Sequence, residues 1–164
     1  MKTGDILLVH SKFDPIAWLI RKYTSSYWNH VAWAIDKDNF IEARGTEIGR
    51  VSRTKYLNWL YNVKLIRLKN ISETELKEAL NYISQFKRKR RYIDYLKLIF
   101  KIFISNCGSF VCELTCSNLI GRGLESINYW DKGKEIYSIT PRDISELKSK
   151  DVSDELNYYI LEKD

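Results

Sequence analysis

A chain of 164 residues is long enough for one domain with its own hydrophobic core, and its 45% apolar and 29% charged residues exclude a disordered or low-complexity polymer. Lysine and arginine number 27 against 21 aspartates and glutamates, so a formal charge of +6 favours anionic partners: nucleic acid, an anionic membrane surface or acidic substrates. Three cysteines, an odd count, suit a reducing compartment better than a disulfide framework.

Met1-Lys2-Thr3-Gly4-Asp5 runs straight into the apolar Ile6-Leu7-Leu8-Val9, which predicts a buried strand and not a secretory signal. Residues 13–22 carry Ile16, Leu19 and Ile20 at helical spacing. Residues 30–35 are β-prone, Asp36-Lys37-Asp38-Asn39 is a turn cluster, and Phe40-Ile41-Glu42-Ala43 is the return strand of a hairpin. Val63-Lys64-Leu65-Ile66-Arg67-Leu68 predicts another strand. Ser72-Glu73-Thr74-Glu75 opens a helix in capping-box form, with Leu76, Leu80, Ile83 and Phe86 on its buried side.

The basic run Lys87-Arg88-Lys89-Arg90-Arg91 reads as a solvated charge run. No zinc-finger spacing or aromatic-interleaved groove motif accompanies it, so nucleic acid is not the expected partner. A second helix is expected over residues 93–104. The apolar patch at 96–104 is interrupted by Lys97 and Lys101 and is too short to span a membrane, so a cytoplasmic location is expected. A further helix reaches at least Ile120, with Gly121 and Gly123 ending it or weakening its last turn. Asn106 and Thr115 are alternative N-caps for that helix. Thr140-Pro141-Arg142-Asp143 opens a short helix with proline at its first position, and residues 156–161 read as a terminal strand. Strands and helices mix without regular βαβ alternation, which predicts a single α+β domain over residues 1–164.

Of the two histidines, His30 stands at the mouth of an apolar strand, and in the hairpin Glu42 falls on the neighbouring strand. That pair has the makings of a base and its orienting acid. A nucleophilic hydrolase also needs a thiolate, which a helix N-terminus stabilises through its dipole and unpaired N–H groups. Cys107 follows Asn106 and Cys116 follows Thr115, while Cys112 has no cap signal, so this reasoning leaves Cys107 and Cys116 open. On one helix the three cysteines would not share a face, which argues against a three-cysteine metal site. His10 has no nearby acid and reads as structural. Trp28 and Trp33 are expected to pack the core or line a pocket.

Gly4-Asp5-Ile6-Leu7, Thr24-x-Ser26-x-x-Asn29-His30-Val31 and Ile41-Glu42-Ala43 together resemble the circularly permuted branch of the NlpC superfamily of papain-like cysteine hydrolases. These are the YiiX-like proteins, related also to lecithin retinol acyltransferase-like enzymes. The family pattern continues with a Tyr-Asp-Tyr-like segment, a helix opening Cys-Ser-Glu-Leu-Val, and Thr-Pro-x-Asp-Leu. Tyr92-Ile93-Asp94-Tyr95 and Thr140-Pro141-Arg142-Asp143-Ile144 stand in the matching places, so the resemblance covers residues 4–145. It implies that His30 is the catalytic histidine and Glu42 the residue that orients it. It also selects Cys116, because Cys116-Ser117-Asn118-Leu119-Ile120 fits better than Cys107-Gly108-Ser109-Phe110-Val111 or Cys112-Glu113-Leu114.

Departures from the pattern are Asn29 for serine, Asn118 for glutamate, and Gly121 and Gly123 where a helix should continue. Histidine and glutamate precede cysteine, the reverse of papain, as a circular permutation requires. The resemblance implies a permuted papain-like fold, a small antiparallel sheet or half-barrel packed on helices. It further implies a thiol hydrolase acting on an amide or ester of a peptide or lipid-like acyl substrate, with no metal or organic cofactor. Work on cell walls would need another export route, such as phage-mediated lysis. The rival expectation is a non-catalytic module docking an anionic membrane or nucleic acid through its basic surface. A thiol redox role lacks the Cys-x-x-Cys it would need.

Overall fold

Ile6-Leu7-Leu8-Val9 has no polar side, and the strand it forms is buried on both faces at the centre of the sheet. The computed structural model describes residues 1–44, 47–86, 115–130, 133 and 135–157. Among these, six strands form one antiparallel sheet in the order β4-β3-β2-β1-β5-β6. They are β1 (Ile6–Ser11), β2 (His30–Ala34), β3 (Asn39–Arg44), β4 (Glu47–Ser52), β5 (Tyr61–Leu68) and β6 (Ser149–Asp151). The helices are α1 (Pro15–Thr24), α2 (Glu73–Ser84), α3 (Cys116–Ser126), α4 (Pro141–Ser145) and α5 (Asp154–Asn157), with a 3₁₀ turn at Arg53–Tyr56.

Strand alternation sorts the core into two layers. Ile6, Leu8, Val31, Trp33 and Ile66 face the helices and pack on Ala79, Leu80 and Ile83 of α2 and Leu119, Ile120 and Leu124 of α3. Leu7, Val9, Ala32, Ala34, Phe40 and Leu65 face the other way, against Tyr56, Val152 and Leu156.

The capping box expected at Ser72 is present, Pro141 opens α4 as expected, and Thr140 with Asp143 adds a second capping box there. Asp14 caps α1 by accepting from the Ile16 and Ala17 N–H groups. Two expectations are corrected. Leu156 lies in the short helix α5, where it covers the second core layer, and not in a terminal strand; residues 158–161 lie outside the described residues. Gly121 and Gly123 do not end α3, which runs through both to Ser126. The basic run at 87–91, the expected helix at 93–104, Tyr92-Ile93-Asp94-Tyr95, Asn106, Cys107 and Cys112 also lie outside the described residues. Among the described residues, no helix is long and apolar enough to cross a membrane.

Candidate active site

His30 is the first residue of β2 and sits opposite Val9 of β1. Its backbone is fixed by the residue before it. The Asn29 N–H donates to the Val9 carbonyl at 3.0 Å, and the buried Asn29 side chain accepts from the Ser11 N–H at 2.7 Å and from Arg21 Nη1 at 3.1 Å. Arg21 in turn donates to the Ser11 carbonyl at 2.8 Å. Asparagine in place of serine thus ties β1, β2 and α1 together at the point where the imidazole is presented.

Ala34 lies opposite Phe40, so alternation puts His30 and Glu42 on one face of the hairpin. His30 Nε2–H donates to Glu42 Oε2 at 2.7 Å. The acid is 2% exposed, and a buried carboxylate needs partners. Besides His30 it accepts from the Tyr56 hydroxyl, and Lys55 Nζ lies 3.7 Å from Oε1. Tyr56 reaches the site from the 3₁₀ turn after β4, where Ser52 caps the Thr54 N–H. Sequence reasoning missed both this tyrosine and this lysine. The Ser52 cap is the local signal that a turn begins there.

Cys116 is the first residue of α3, and the Thr115 hydroxyl caps that helix by accepting from the Asn118 N–H at 3.2 Å. Of the two N-cap candidates, the structure therefore has Thr115 capping the helix that presents Cys116. Burial pushes the Cys116 thiol up. The His30 charge, a hydrogen bond from His30, and backbone N–H groups of Val31 and Ser117 act against it and leave the thiol below its ordinary value. Because Nε2 is engaged by Glu42, the bond to the sulfur falls to His30 Nδ1. Thiol, imidazole and carboxylate thus stand in series.

Of the two glycines where the pattern has a continuing helix, Gly123 lets α3 approach the sheet and Gly121 lets it approach the segment leading into α4. A Cβ on Gly123 would lie 2.5 Å from the Trp33 ring, and one on Gly121 would lie 2.2 Å from Ile139 Cδ1. Asn118 in place of glutamate also has a local reason. Its buried amide, with the nitrogen turned toward them, donates to the Ile136 and Ile139 carbonyls at 2.9 and 3.2 Å, where a carboxylate would meet like charge. The Ser117 hydroxyl donates to the same Ile139 carbonyl at 2.7 Å. The start of α3 is therefore stitched to the segment leading into α4.

The other singled-out residues are structural. His10 Nδ1–H donates to the Tyr27 carbonyl at 2.9 Å, and its ring stacks on Tyr27. Trp33 is fully buried and its indole N–H donates to the Gly4 carbonyl. Gly4 has φ +92° and Asp5 holds Arg67, both at the end of β1 away from His30.

Among the described residues no three of histidine, cysteine, aspartate and glutamate gather as a metal-ligand set. Cys116, His30 and Glu42 do not fit a metal either. The imidazole lies between sulfur and carboxylate, so the three do not converge on one point.

Neither a protein-family model nor a curated protein matches the chain. A solved structure described as the metalloprotein YiiX from Escherichia coli O157:H7 is similar to it, with a TM-score of 0.56 at 14% sequence identity. The match covers 92% of this chain and 96% of that one. The α+β arrangement of a six-stranded antiparallel sheet and helices is a YiiX-like fold.

Proposed function

We propose that the chain is a thiol hydrolase in which Cys116 is the nucleophile, His30 its base and Glu42 the acid that orients the base. The observation that carries this reading is the 2.7 Å bond from His30 Nε2 to Glu42, with Cys116 hydrogen-bonded to His30 at a helix N-terminus. His30 Nδ1 takes the thiol proton, and the thiolate attacks the carbonyl carbon of an amide or ester. N–H groups of the first turn of α3 hold the oxyanion. The imidazolium then gives its proton to the leaving amine or alcohol, and an acyl-enzyme remains. Water, deprotonated by His30, attacks the thioester and releases the carboxylic acid.

The order His30, Glu42, Cys116 along the chain, with the YiiX-like fold, supports assignment to the circularly permuted NlpC superfamily, of which lecithin retinol acyltransferase-like enzymes are relatives. The substrate class is an acyl group carried by a peptide or a lipid. The test is labelling with a thiol-reactive acyl probe across pH, followed by peptide mapping. Cys116 is expected to label with an inflection below that of free cysteine. His30→Ala removes the charge and the hydrogen bond but leaves the burial, so it shifts that inflection upward. Labelling at Cys107 alone, or none above the denatured background, overturns the assignment.

A further inference from the structure

Large apolar side chains gather in water at the end of the sheet that carries His30. Phe13 and Trp59 are 71% and 72% exposed, with their rings in edge contact at 5.5 Å. Leu60 is exposed beside them, its carbonyl accepting from the Lys12 N–H at 3.0 Å. Trp18, 55% exposed, stands on the first turn of α1, whose cap Asp14 directly follows Phe13. In the usual hydrophobic staple, residues at these two positions bury each other against the helix entry. Here both remain open to solvent.

The topology fixes where this surface lies. Ser11 of β1 pairs with Tyr61 of β5, so Lys12–Phe13 and Trp59–Leu60 leave the sheet side by side. Val9 pairs with His30, so they leave it at the mouth of the candidate active site. Tyr27, also exposed, spans the gap: its hydroxyl accepts from Asn62, and its chain neighbour is Trp28.

The charge around these rings is mostly positive. Lys12 and Lys22 are exposed, and Lys22 Nζ sits 5.2 Å over the Trp18 ring. The acid nearby, Asp14, has its carboxylate engaged by the N–H groups of Ile16 and Ala17. Tryptophan and phenylalanine flanked by lysine suit the boundary between lipid headgroups and acyl chains, where the ring leaves water and the ammonium stays among anions. A monomer in water gains nothing from this exposure.

We infer that this surface, Phe13, Trp18, Trp59 and Leu60 with Lys12 and Lys22, docks the chain on an anionic phospholipid bilayer. The mouth beside His30 then faces the lipid. This deepens the thiol-hydrolase reading by naming a membrane lipid as the source of the acyl group, and for that step it rests on that reading.

Docking is measured without hydrolysis, by co-sedimentation of Cys116→Ala protein with vesicles of phosphatidylcholine alone or mixed with phosphatidylglycerol. Indole fluorescence is recorded in parallel. Binding to the mixed vesicles, a blue shift on binding, and weaker binding to neutral vesicles are expected. Phe13→Ser with Trp59→Ser, both at exposed positions, should weaken binding by about tenfold or more while leaving the thermal midpoint unchanged.

Binding that survives this double change overturns the assignment, because the basic run at 87–91 is then sufficient. Failure to bind either vesicle overturns it, as does a double variant that alters only self-association or binding to a single-stranded oligonucleotide. Vesicle binding with no acyl labelling of Cys116 in the native chain would sink the hydrolase reading and leave the docking surface standing.

Discussion

A carboxylate removed from water costs several kcal/mol unless its oxygens find partners. Glu42 meets that demand with an imidazole N–H, a phenol and an ammonium drawn from two separate elements. Glu42→Gln keeps the shape but discards the charge, and it turns an amide N–H₂ toward groups that are themselves donors. The rate of acyl labelling at Cys116 is expected to fall by about a hundredfold or more, as for loss of the third member of a triad. Tyr56→Phe removes one donor and keeps the charge, so its expected fall is about tenfold or less. Equal falls in the two variants, measured at one pH, would mean that Glu42 acts only as a packing group. His30 and Glu42 were legible in the sequence because a four-residue turn cluster between apolar runs specifies the hairpin that joins them. Tyr56 was not, because it enters from a turn whose side-chain targets depend on how β4 pairs. For the thiol the sequence left a choice, and Cys107 and Cys112 lie outside the described residues. Helix electrostatics named two candidates, and only the family pattern separated them.

At the scale of elements, α3 has to approach the sheet closely enough for its first residue to reach His30. Gly123 makes that approach, because a Cβ there would overlap the fully buried Trp33 ring at 2.5 Å and press on Ile83 at 3.0 Å. Alanine would gain about 1 kcal/mol of helix propensity. Against that, overpacking a rigid, buried ring costs about 1–3 kcal/mol, so Gly123→Ala should lower the thermal midpoint by several degrees. It should also slow labelling of Cys116 as the helix lifts from the sheet. A midpoint that rises would show that Trp33 can give way. In the sequence the same glycines either end the helix or weaken its last turn, because a breaker and a close-packing residue look alike until the facing side chain is known. The strands missed in the sequence had a related cause. β6 is Ser149-Lys150-Asp151, with no apolar residue, and exists through its backbone pairing with β5. β4 is an edge strand interrupted by Gly49, with Ile48 and Val51 out of phase for simple alternation.

At the scale of the whole molecule, two networks of ionisable groups among the described residues lie toward opposite ends of β1. At one end His30 and Glu42 meet Cys116. At the other, Arg67 of β5 spans Asp5 and Glu155, with bonds of 2.7 and 2.8 Å to the first and 2.9 and 2.7 Å to the second. The Arg67 bond pulls the Glu155 carboxyl down to about 2, against a smaller opposing effect of burial. The folded carboxylate is therefore more acidic than the unfolded one. Its contribution is complete above the ordinary value of 4.5 and is lost as pH falls from there toward about 2. Urea midpoints should drop through that window. Glu155→Gln should flatten the drop while lowering stability at neutral pH, and added salt should shrink the difference because Glu155 is partly exposed. Since this network lies away from the thiol, Glu155→Gln should leave the pH profile of Cys116 labelling where it was. A shift in both would mean that the two networks titrate as one system.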